Sequence, residues 1–157
     1  ASGCGVHVKD YGHLLRDDLA YADKARRVSA LTKDISEILA NEDLSKLKLT
    51  VKPGLKAAFQ SPCTLQHGQQ LNGVVEKILR DLGFEPMPVA DAHLCCGSAG
   101  TYSLLQPALS RRLRKRKLDA LEAGKPEIIV TANIGCLAHL QTGTSVPVQH
   151  WIELIGG

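Results

Sequence analysis

Residues 127–132 read EIIVTA, and this short apolar run does most to decide the fold class. A near-continuous apolar stretch of this length is typical of a strand in a parallel sheet that is buried on both faces. Residues 133–136 then lead out of the strand into a short helix that carries Cys136. The same order of strand, cysteine-bearing loop and helix occurs earlier in the chain, which favours a small α/β domain.

Weaker strand and helix signals surround this run. Strands are predicted at Leu55–Gln60, Phe84–Val89 and Val146–Gln149, and Pro86 and Pro88 confine the second of these to a sheet edge. Helical spacing of apolar residues predicts a short helix and turn at 8–18, long helices at Leu19–Ala40, Leu65–Leu82 and Tyr102–Ala123, and a terminal helical turn at His150–Ile155. We therefore predict an α/β fold: a small, mostly parallel sheet flanked by helices, with cysteines on the strand-end loops.

Composition excludes several classes of protein. The 157 residues suit one domain with a real core, and an apolar fraction of 44% is ordinary for a soluble globular domain. No apolar run approaches the roughly 18 residues that a transmembrane helix needs, and the N-terminus lacks the charged-then-apolar form of a signal peptide. A formal charge of +3 is too mild to indicate nucleic-acid binding. Because the chain begins at Ala1 and leads straight into Cys4, we expect a fragment of a longer chain.

Five widely spaced cysteines without a secretion signal favour metal or redox chemistry over a disulfide framework. Cys63, Cys95, Cys96 and Cys136 all follow predicted strands. Ligands of such sheets collect at the carboxyl ends of the strands, so we expect these thiols to meet at one edge. The spacers of 31 residues (between Cys63 and Cys95) and 39 residues (between Cys96 and Cys136) match neither zinc-finger knuckles nor a ferredoxin cysteine run.

The double cysteine lies in residues 93–100, HLCCGSAG. Neighbouring cysteines can hardly bond each other without strain, so their use is to present two soft thiolates to one metal centre. Gly97 and Gly100 allow a close approach of the backbone and left-handed backbone angles. The alternative is that both cysteines are small, buried hydrophobic residues.

A short internal repeat, which we call the internal echo, relates residues 1–7, ASGCGVH, to residues 132–139, ANIGCLAH. Both contain Gly-Cys-x-x-His, so Cys4 and His7 would close one unit and Cys136 and His139 a second. Chance similarity is the alternative over so short a span.

The remaining histidines and one basic run are weaker candidates. His67 lies one helical turn after Cys63, while His93 and His150 lie near strand ends; each is more often a structural residue than a ligand. Residues 111–117, RRLRKRK, are interpreted as a solvated helix face, with a docking patch for an acidic partner or nucleic acid as the alternative. Leucines 109, 113, 118 and 121 are predicted to form the buried stripe of that helix, and Trp151 is assigned to the core.

The cysteine pattern resembles the cysteine-rich CCG domain, in which a cysteine, a long spacer, Cys-Cys-Gly, another long spacer and C-x-x-C follow one another. Cys63 matches the leading cysteine, residues 95–97 the signature tripeptide, and Cys136 the trailing cysteine. Position 139 departs from the pattern, because it is His where the family has Cys. The resemblance covers about residues 55–157 as a complete repeat. Residues 1–54 would be the tail of a preceding repeat plus a helical connector, and we expect one compact unit.

Within this domain class, the amino-acid sequence is most similar to the family of iron–sulfur subunits of glycolate oxidases. The similarity is clearest at residues 2–5, 9–15, 63–69 and 95–102. This resemblance implies a [4Fe–4S]-type iron–sulfur cluster held by Cys63, Cys95, Cys96 and Cys136. It also implies His139 as a further metal ligand, with Cys4, His7 and His67 as additional candidates. The heterodisulfide reductases share the domain, but His139 argues against a five-cysteine cluster of their type.

The resemblance also implies partners and a place in the cell. Flavin-containing glycolate oxidase subunits would oxidise glycolate to glyoxylate, and a ferredoxin-like domain of the same full-length chain would share in passing electrons towards the quinone pool. This domain alone would then not be catalytic, and the protein would be cytoplasmic or peripheral on the inner face of the cell membrane. Two alternatives remain open: a structural zinc domain that uses four of the same ligands, and a thiol/disulfide docking module without redox metal.

Overall fold

Four parallel strands form the sheet at the centre of the computed structural model, which describes residues 1–47, 49 and 54–155. The strands are β1 (Lys56–Gln60), β2 (Glu85–Met87), β3 (Ile128–Thr131) and β4 (Val148–His150), in the order β2-β1-β3-β4. Strand β1 pairs with β2 on one side and with β3 on the other, so Ala57 lies opposite both Pro86 and Ile128. The predicted α/β class and mostly parallel sheet are confirmed, and proline-containing β2 lies at an edge.

Helices flank the sheet and account for the rest of the regular structure in the described residues. They are α1 (Ser2–Lys9), α2 (Tyr11–Leu14), α3 (Ala22–Leu31), α4 (Ile35–Leu39), α5 (Val74–Asp81), α6 (Tyr102–Leu105), α7 (Pro107–Glu122) and α8 (Ile134–Gln141). A π-helical turn covers Thr64–Gly68, and 3₁₀ turns cover Leu44–Lys46 and Trp151–Leu154.

Each face of the sheet has its own hydrophobic core, because successive strand residues point to opposite sides. Ala57 and Phe59 of β1 pack with α5 and with Trp151, which is fully buried as predicted. Ala58 and Ile129 face the other way and pack against α7 and α8, together with Cys96 and Cys136. The cysteine loops are thus tied to the second core.

The strand order reverses between β1 and β3, which makes their carboxyl ends a switch point of the kind where α/β proteins bind ligands. The chain leaves β1 for β2 on one side and then crosses to β3 on the other. A buried polar pair closes the sheet there: the Thr131 hydroxyl donates to Gln60 Oε1 at 2.6 Å. Gln60 also donates to the Ser61 carbonyl at 2.9 Å, so its amide is satisfied although it is buried.

The prediction of one helix over Leu19–Ala40 is wrong, because the chain breaks it into α3 and α4. Asp34 is the N-cap of α4, where its side chain accepts from Ser36 N and Glu37 reaches back to the Asp34 amide at 2.7 Å. This capping box satisfies helix-start donors that a continuous helix would not have.

Two other long helices are also divided. The predicted helix Leu65–Leu82 is a π-helical turn followed by α5, which begins after Gly73 with its φ of 74°. The predicted helix Tyr102–Ala123 is divided into α6 and α7, and Pro107 stands at the first position of α7, where its missing amide proton costs nothing. Within α7, Leu118 and Leu121 are buried as predicted, but Leu109 is 46% exposed.

The N-terminal segment packs onto the sheet's carboxyl edge. Ser2 donates its amide to the Ala132 carbonyl at 3.0 Å, and its hydroxyl lies 2.8 Å from that of Thr64. The division into a tail with connector (1–54) and a complete repeat (55–157) stays a prediction. In the described part of the chain, no helix is both long and apolar enough to cross a membrane.

Glu76 in the first turn of α5 is expected to limit stability at neutral pH. Burial raises the pKa of its carboxyl above 4.5, and Oε2 has no hydrogen-bond partner within the described residues. Because the folded-state pKa is raised, this penalty is absent below pH 4.5 and grows as the pH rises through the folded value. We expect Glu76→Gln to raise the free energy of unfolding by about 1 kcal/mol at neutral pH.

Urea unfolding across the acid range measures this effect. Glu85→Gln, at an exposed strand position, is the matched control and should change little. A Glu76→Gln gain that persisted unchanged below pH 4.5 would contradict the assignment to the buried charge.

Candidate functional site

Three separate loops bring four cysteines to the carboxyl edge of the sheet. Cys63 follows β1, Cys95 and Cys96 lie in the long connection from β2 to α6, and Cys136 lies in the first turn of α8, after β3. All four have free thiols; Cys63 and Cys95 are half-buried, while Cys96 and Cys136 are buried. We refer to these residues as the four-thiol group. Their meeting at one edge agrees with the prediction from the strand-end positions.

The thiols influence one another through neighbouring pairs. Contact with Cys95 raises the pKa of Cys63, and burial adds to this increase. Contacts with Cys136 and Cys95 raise the pKa of Cys96 in the same way. Contacts with Cys63 and Cys96 lower the pKa of Cys95, with help from the Gly97 amide, which donates to Cys95 Sγ at 3.3 Å. Of Cys63, Cys95 and Cys96, Cys95 is therefore the most readily ionised, because the thiols of the other two donate hydrogen bonds to it.

Gly97 fixes the double-cysteine loop against α7. Its φ is +90°, and a Cβ placed there would lie 2.5 Å from the Ser110 carbonyl oxygen and 3.0 Å from Leu113 Cβ. Only glycine accommodates both the backbone angle and the close approach. The Cys-Cys-Gly tripeptide therefore needs glycine at position 97 so that the loop carrying Cys95 and Cys96 can pack against α7.

Ser110 connects this loop to His139. Its hydroxyl donates to the Gly97 carbonyl at 2.7 Å and lies 3.1 Å from His139 Nε2. Because the single hydroxyl proton is used on Gly97, His139 Nε2 must be the donor to Ser110. This tautomer leaves Nδ1 without a proton, which is the form in which a histidine binds metal. Burial lowers the pKa of His139, which also favours the neutral ring.

Lys117 is the residue of this site that the sequence interpretation missed. The run 111–117 was predicted to be a solvated face, but Lys117 is only 1% exposed. Its Nζ donates to the carbonyl oxygens of Ala92 at 2.8 Å and of Asp91 at 3.4 Å. Burial lowers its pKa, while Cys96, Asp91, Cys95 and Cys136 act to raise it. Its position four residues after Leu113 and four before Leu121, in line with the predicted buried stripe, was a signal that the periodicity contained.

The other predicted candidates are not joined to the four-thiol group within the described residues. Cys4 and His7 lie on α1, both exposed, and the ring of His7 packs edge-on against Tyr11 with centroids 5.4 Å apart. His67 is exposed, with Nε2 3.4 Å from the His93 carbonyl oxygen. The Nδ1 atom of His150 accepts the Ile152 amide at 3.4 Å, so His150 caps the terminal 3₁₀ turn, which is a structural role.

The internal echo corresponds to two equivalent structural positions. In both α1 and α8, an eight-residue helix, the cysteine lies in the first turn and the histidine one turn later. The two helix starts are close together, since a Cβ on Gly3 would lie 3.0 Å from Asn133 Nδ2.

The chemistry of the donor set indicates which kind of metal group it could hold. Among the described residues, no three His, Cys, Asp or Glu side chains are placed so that they could together hold a single metal ion. The four thiols nevertheless act on one another: Cys63 on Cys95, Cys95 on Cys96, Cys96 on Cys136, and Cys136 also on Cys63. A cluster with several irons would take its thiolates on different irons and needs no single common centre, so four thiols on three loops fit an iron–sulfur group in chemistry and number.

Residues 57–141 match the family of cysteine-rich domains known as CCG. The match covers more than half of the chain, so this protein belongs to that family.

Its relatives identify the particular protein it resembles. The chain is 57% identical over 155 residues to the glycolate oxidase iron-sulfur subunit of Escherichia coli K12, covering 99% of this chain and 38% of that protein. It is 31% identical to the probable glycolate oxidase iron-sulfur subunit of Bacillus subtilis 168, covering 91% of this chain and 32% of that protein. Lactate utilization protein A of Geobacillus thermodenitrificans is 29% identical, and the match covers 99% of this chain and 67% of that protein. The chain thus spans about a third of the length of the two glycolate oxidase relatives, and the predicted resemblance is confirmed.

Proposed function

We propose that this chain is an iron–sulfur electron-transfer domain of a glycolate oxidase. In this proposal Cys63, Cys95, Cys96 and Cys136 hold a [4Fe–4S]-type cluster. The observation that supports it is the four-thiol group itself, which three loops assemble at the switch point of the sheet. When bound, such a group accepts and releases one electron at a time.

The chain's own residues serve this role in different ways. The Gly97 amide donates to Cys95 Sγ, and hydrogen bonds to cluster sulfurs are one means by which proteins set reduction potentials. Ser110 holds His139 in the tautomer with a free Nδ1, so His139 remains a candidate ligand. The domain alone needs no substrate pocket, because in the proposal a flavin partner subunit oxidises glycolate to glyoxylate.

Partners and location are proposed from the same resemblance. The electrons would pass from the flavin-containing subunits, through this domain and a ferredoxin-like domain of the full-length chain, towards the quinone pool. The location would be cytoplasmic or peripheral on the inner face of the cell membrane. We propose glycolate over lactate because identity to the E. coli glycolate oxidase subunit is 57%, against 29% for the lactate utilization relative.

Oxygen-free purification of the 157-residue chain tests the cluster. We expect iron and acid-labile sulfide in equal amounts and an electron paramagnetic resonance signal after reduction. Zinc without iron or sulfide would instead support a structural zinc domain, and metal-free chain with reactive thiols would support a docking module.

A second measurement tests the substrate. The chain's cluster, mixed with the flavin-containing subunits, should be reduced when glycolate is added. Reduction by lactate alone would overturn the choice of glycolate while leaving the electron-transfer role in place.

A further inference from the structure

Lys117 occupies a core position of α7, although its neighbours in the basic run are exposed. It is 1% exposed, whereas Lys115 and Arg116 extend into solvent and pair with Asp119 and Asp91. The run therefore contains one cation that does not belong to the solvated surface.

The buried ammonium group has uncharged partners. Its two hydrogen bonds go to the carbonyl oxygens of Asp91 and Ala92, in the segment that leads into the double cysteine. Within the part of the chain that the structure describes, no carboxylate forms an ion pair with Lys117, and the carboxylate of Asp91 is used by Arg116 at 3.1 Å. A buried charge without a counter-ion is strongly unfavourable, so a nearby anion is to be expected.

The four-thiol group is the nearest candidate for that anion in the second core. Cys96 packs in the same core as Leu118 and Leu121, the helical neighbours of Lys117. The two carbonyls that Lys117 binds lie only a few residues before Cys95. Cys96, Asp91, Cys95 and Cys136, in that order, act electrostatically to raise the pKa of Lys117, so the thiols share this role with the Asp91 carboxylate.

We propose that Lys117 is the buried counter-ion of the negative charge on the four-thiol group, carried by Cys95 in the metal-free chain and by the iron–sulfur group when it is bound, and that it raises the reduction potential of that bound group. The second part rests on the proposed function. Each electron added to an iron–sulfur group makes it more negative. A fixed positive charge in a low-dielectric interior therefore stabilises the reduced form more than the oxidised one.

Redox titration of the anaerobically purified chain tests the effect on potential. Lys117→Met removes the charge and the hydrogen bonds, while Lys117→Gln removes the charge and keeps an N–H donor. We expect both to lower the equilibrium constant for reduction about tenfold, which is about 59 mV for one electron. Lys115→Met, an exposed charge loss on the same helix, is the matched control and should leave the potential unchanged.

The outcomes separate the charge from a purely structural role. A shift in Lys117→Met but not in Lys117→Gln would show that Lys117 only fastens the backbone of the loop, and would overturn the proposal. Equal shifts in Lys117→Met and Lys115→Met would also overturn it. Circular dichroism checks that the variants fold, which is expected because replacing a buried charge by an apolar side chain is often tolerated.

A second experiment, on the metal-free chain, tests Lys117 without the cluster. In the reduced chain without metal, iodoacetamide modification of each cysteine is followed by mass spectrometry. Loss of the buried cation should raise, by about one unit, the pH at which the modification rate of Cys95 reaches half its maximum, which corresponds to a tenfold change in its ionisation constant, and leave exposed Cys4 unchanged. If the wild-type chain takes up no iron, the proposed function fails and this arm still tests Lys117. If iron binds but neither the potential nor the Cys95 rate responds, only the role of Lys117 fails.

Discussion

Serine in place of Cys95 is expected to abolish the iron–sulfur signal of this domain. A serine hydroxyl is a much poorer soft-metal ligand than the thiolate that Cys95 forms beside Cys63 and the Gly97 amide. Since changes outside the ligand shell already cost about 10–100-fold in metal affinity, loss of a ligand should reduce iron retention at least that far. Iron and sulfide analysis, with electron paramagnetic resonance, measures the loss.

Cys4→Ser is the matched control. Cys4 is exposed on α1 and, within the described residues, is not hydrogen-bonded to the four-thiol group, so its loss should leave the signal intact. Equal loss of iron in both variants would show that Cys4 is a cluster ligand. The N-terminal segment that carries Cys4 would then be part of the site. An unchanged signal in Cys95→Ser would remove the double cysteine from the ligand set.

Gly97→Ala is expected to give the largest loss of stability of any single-methyl change in the loop. The new Cβ would meet the Ser110 carbonyl at 2.5 Å in a backbone conformation with φ of +90°. Steric overlap and left-handed strain together should cost about 3 kcal/mol in the free energy of unfolding. Urea unfolding of the metal-free chain measures this, and iron uptake should fall with it.

Gly100→Ala separates the two contributions. Gly100 also has a positive φ, +59°, but a Cβ there would find no atom within 4 Å. Strain alone should therefore cost about 1 kcal/mol. If Gly97→Ala were no more costly than Gly100→Ala, the close packing of the loop on α7 would not matter for stability.

The sheet and the position of the cysteines could be predicted because both follow from local signals. The apolar run 127–132 identified β3, and in a parallel sheet the loops after β1 and β3 must meet at one edge. Pro86 and Pro88 placed β2 at the edge for the same kind of reason, since proline cannot donate to a central ladder.

Helix boundaries were predicted poorly because apolar spacing continues across the breaks. Asp34 and Glu37 form a capping box that the sequence already contains, and Pro107 is a standard first helical residue. These helix-start signals decide where a helix begins. The spacing of apolar residues shows only which face of a helix is buried.

Two parts of the site depended on tertiary packing. The Ser110–His139 contact joins α7 to α8, and no spacing in the sequence gives that pairing. Lys117 looked like its exposed neighbours because composition does not reveal which face of a basic helix turns inward. Its burial follows from the carbonyls of Asp91 and Ala92, which reach it from a different connection.

The assembly of the four-thiol group from three connections has a mechanical consequence. A cofactor anchored there would act as a cross-link between segments that are far apart in sequence, tying the ends of β1 and β3 to the long connection that follows β2. Loading and cooperative unfolding would then be linked, so that oxidative loss of the cofactor would loosen the whole sheet edge rather than one loop.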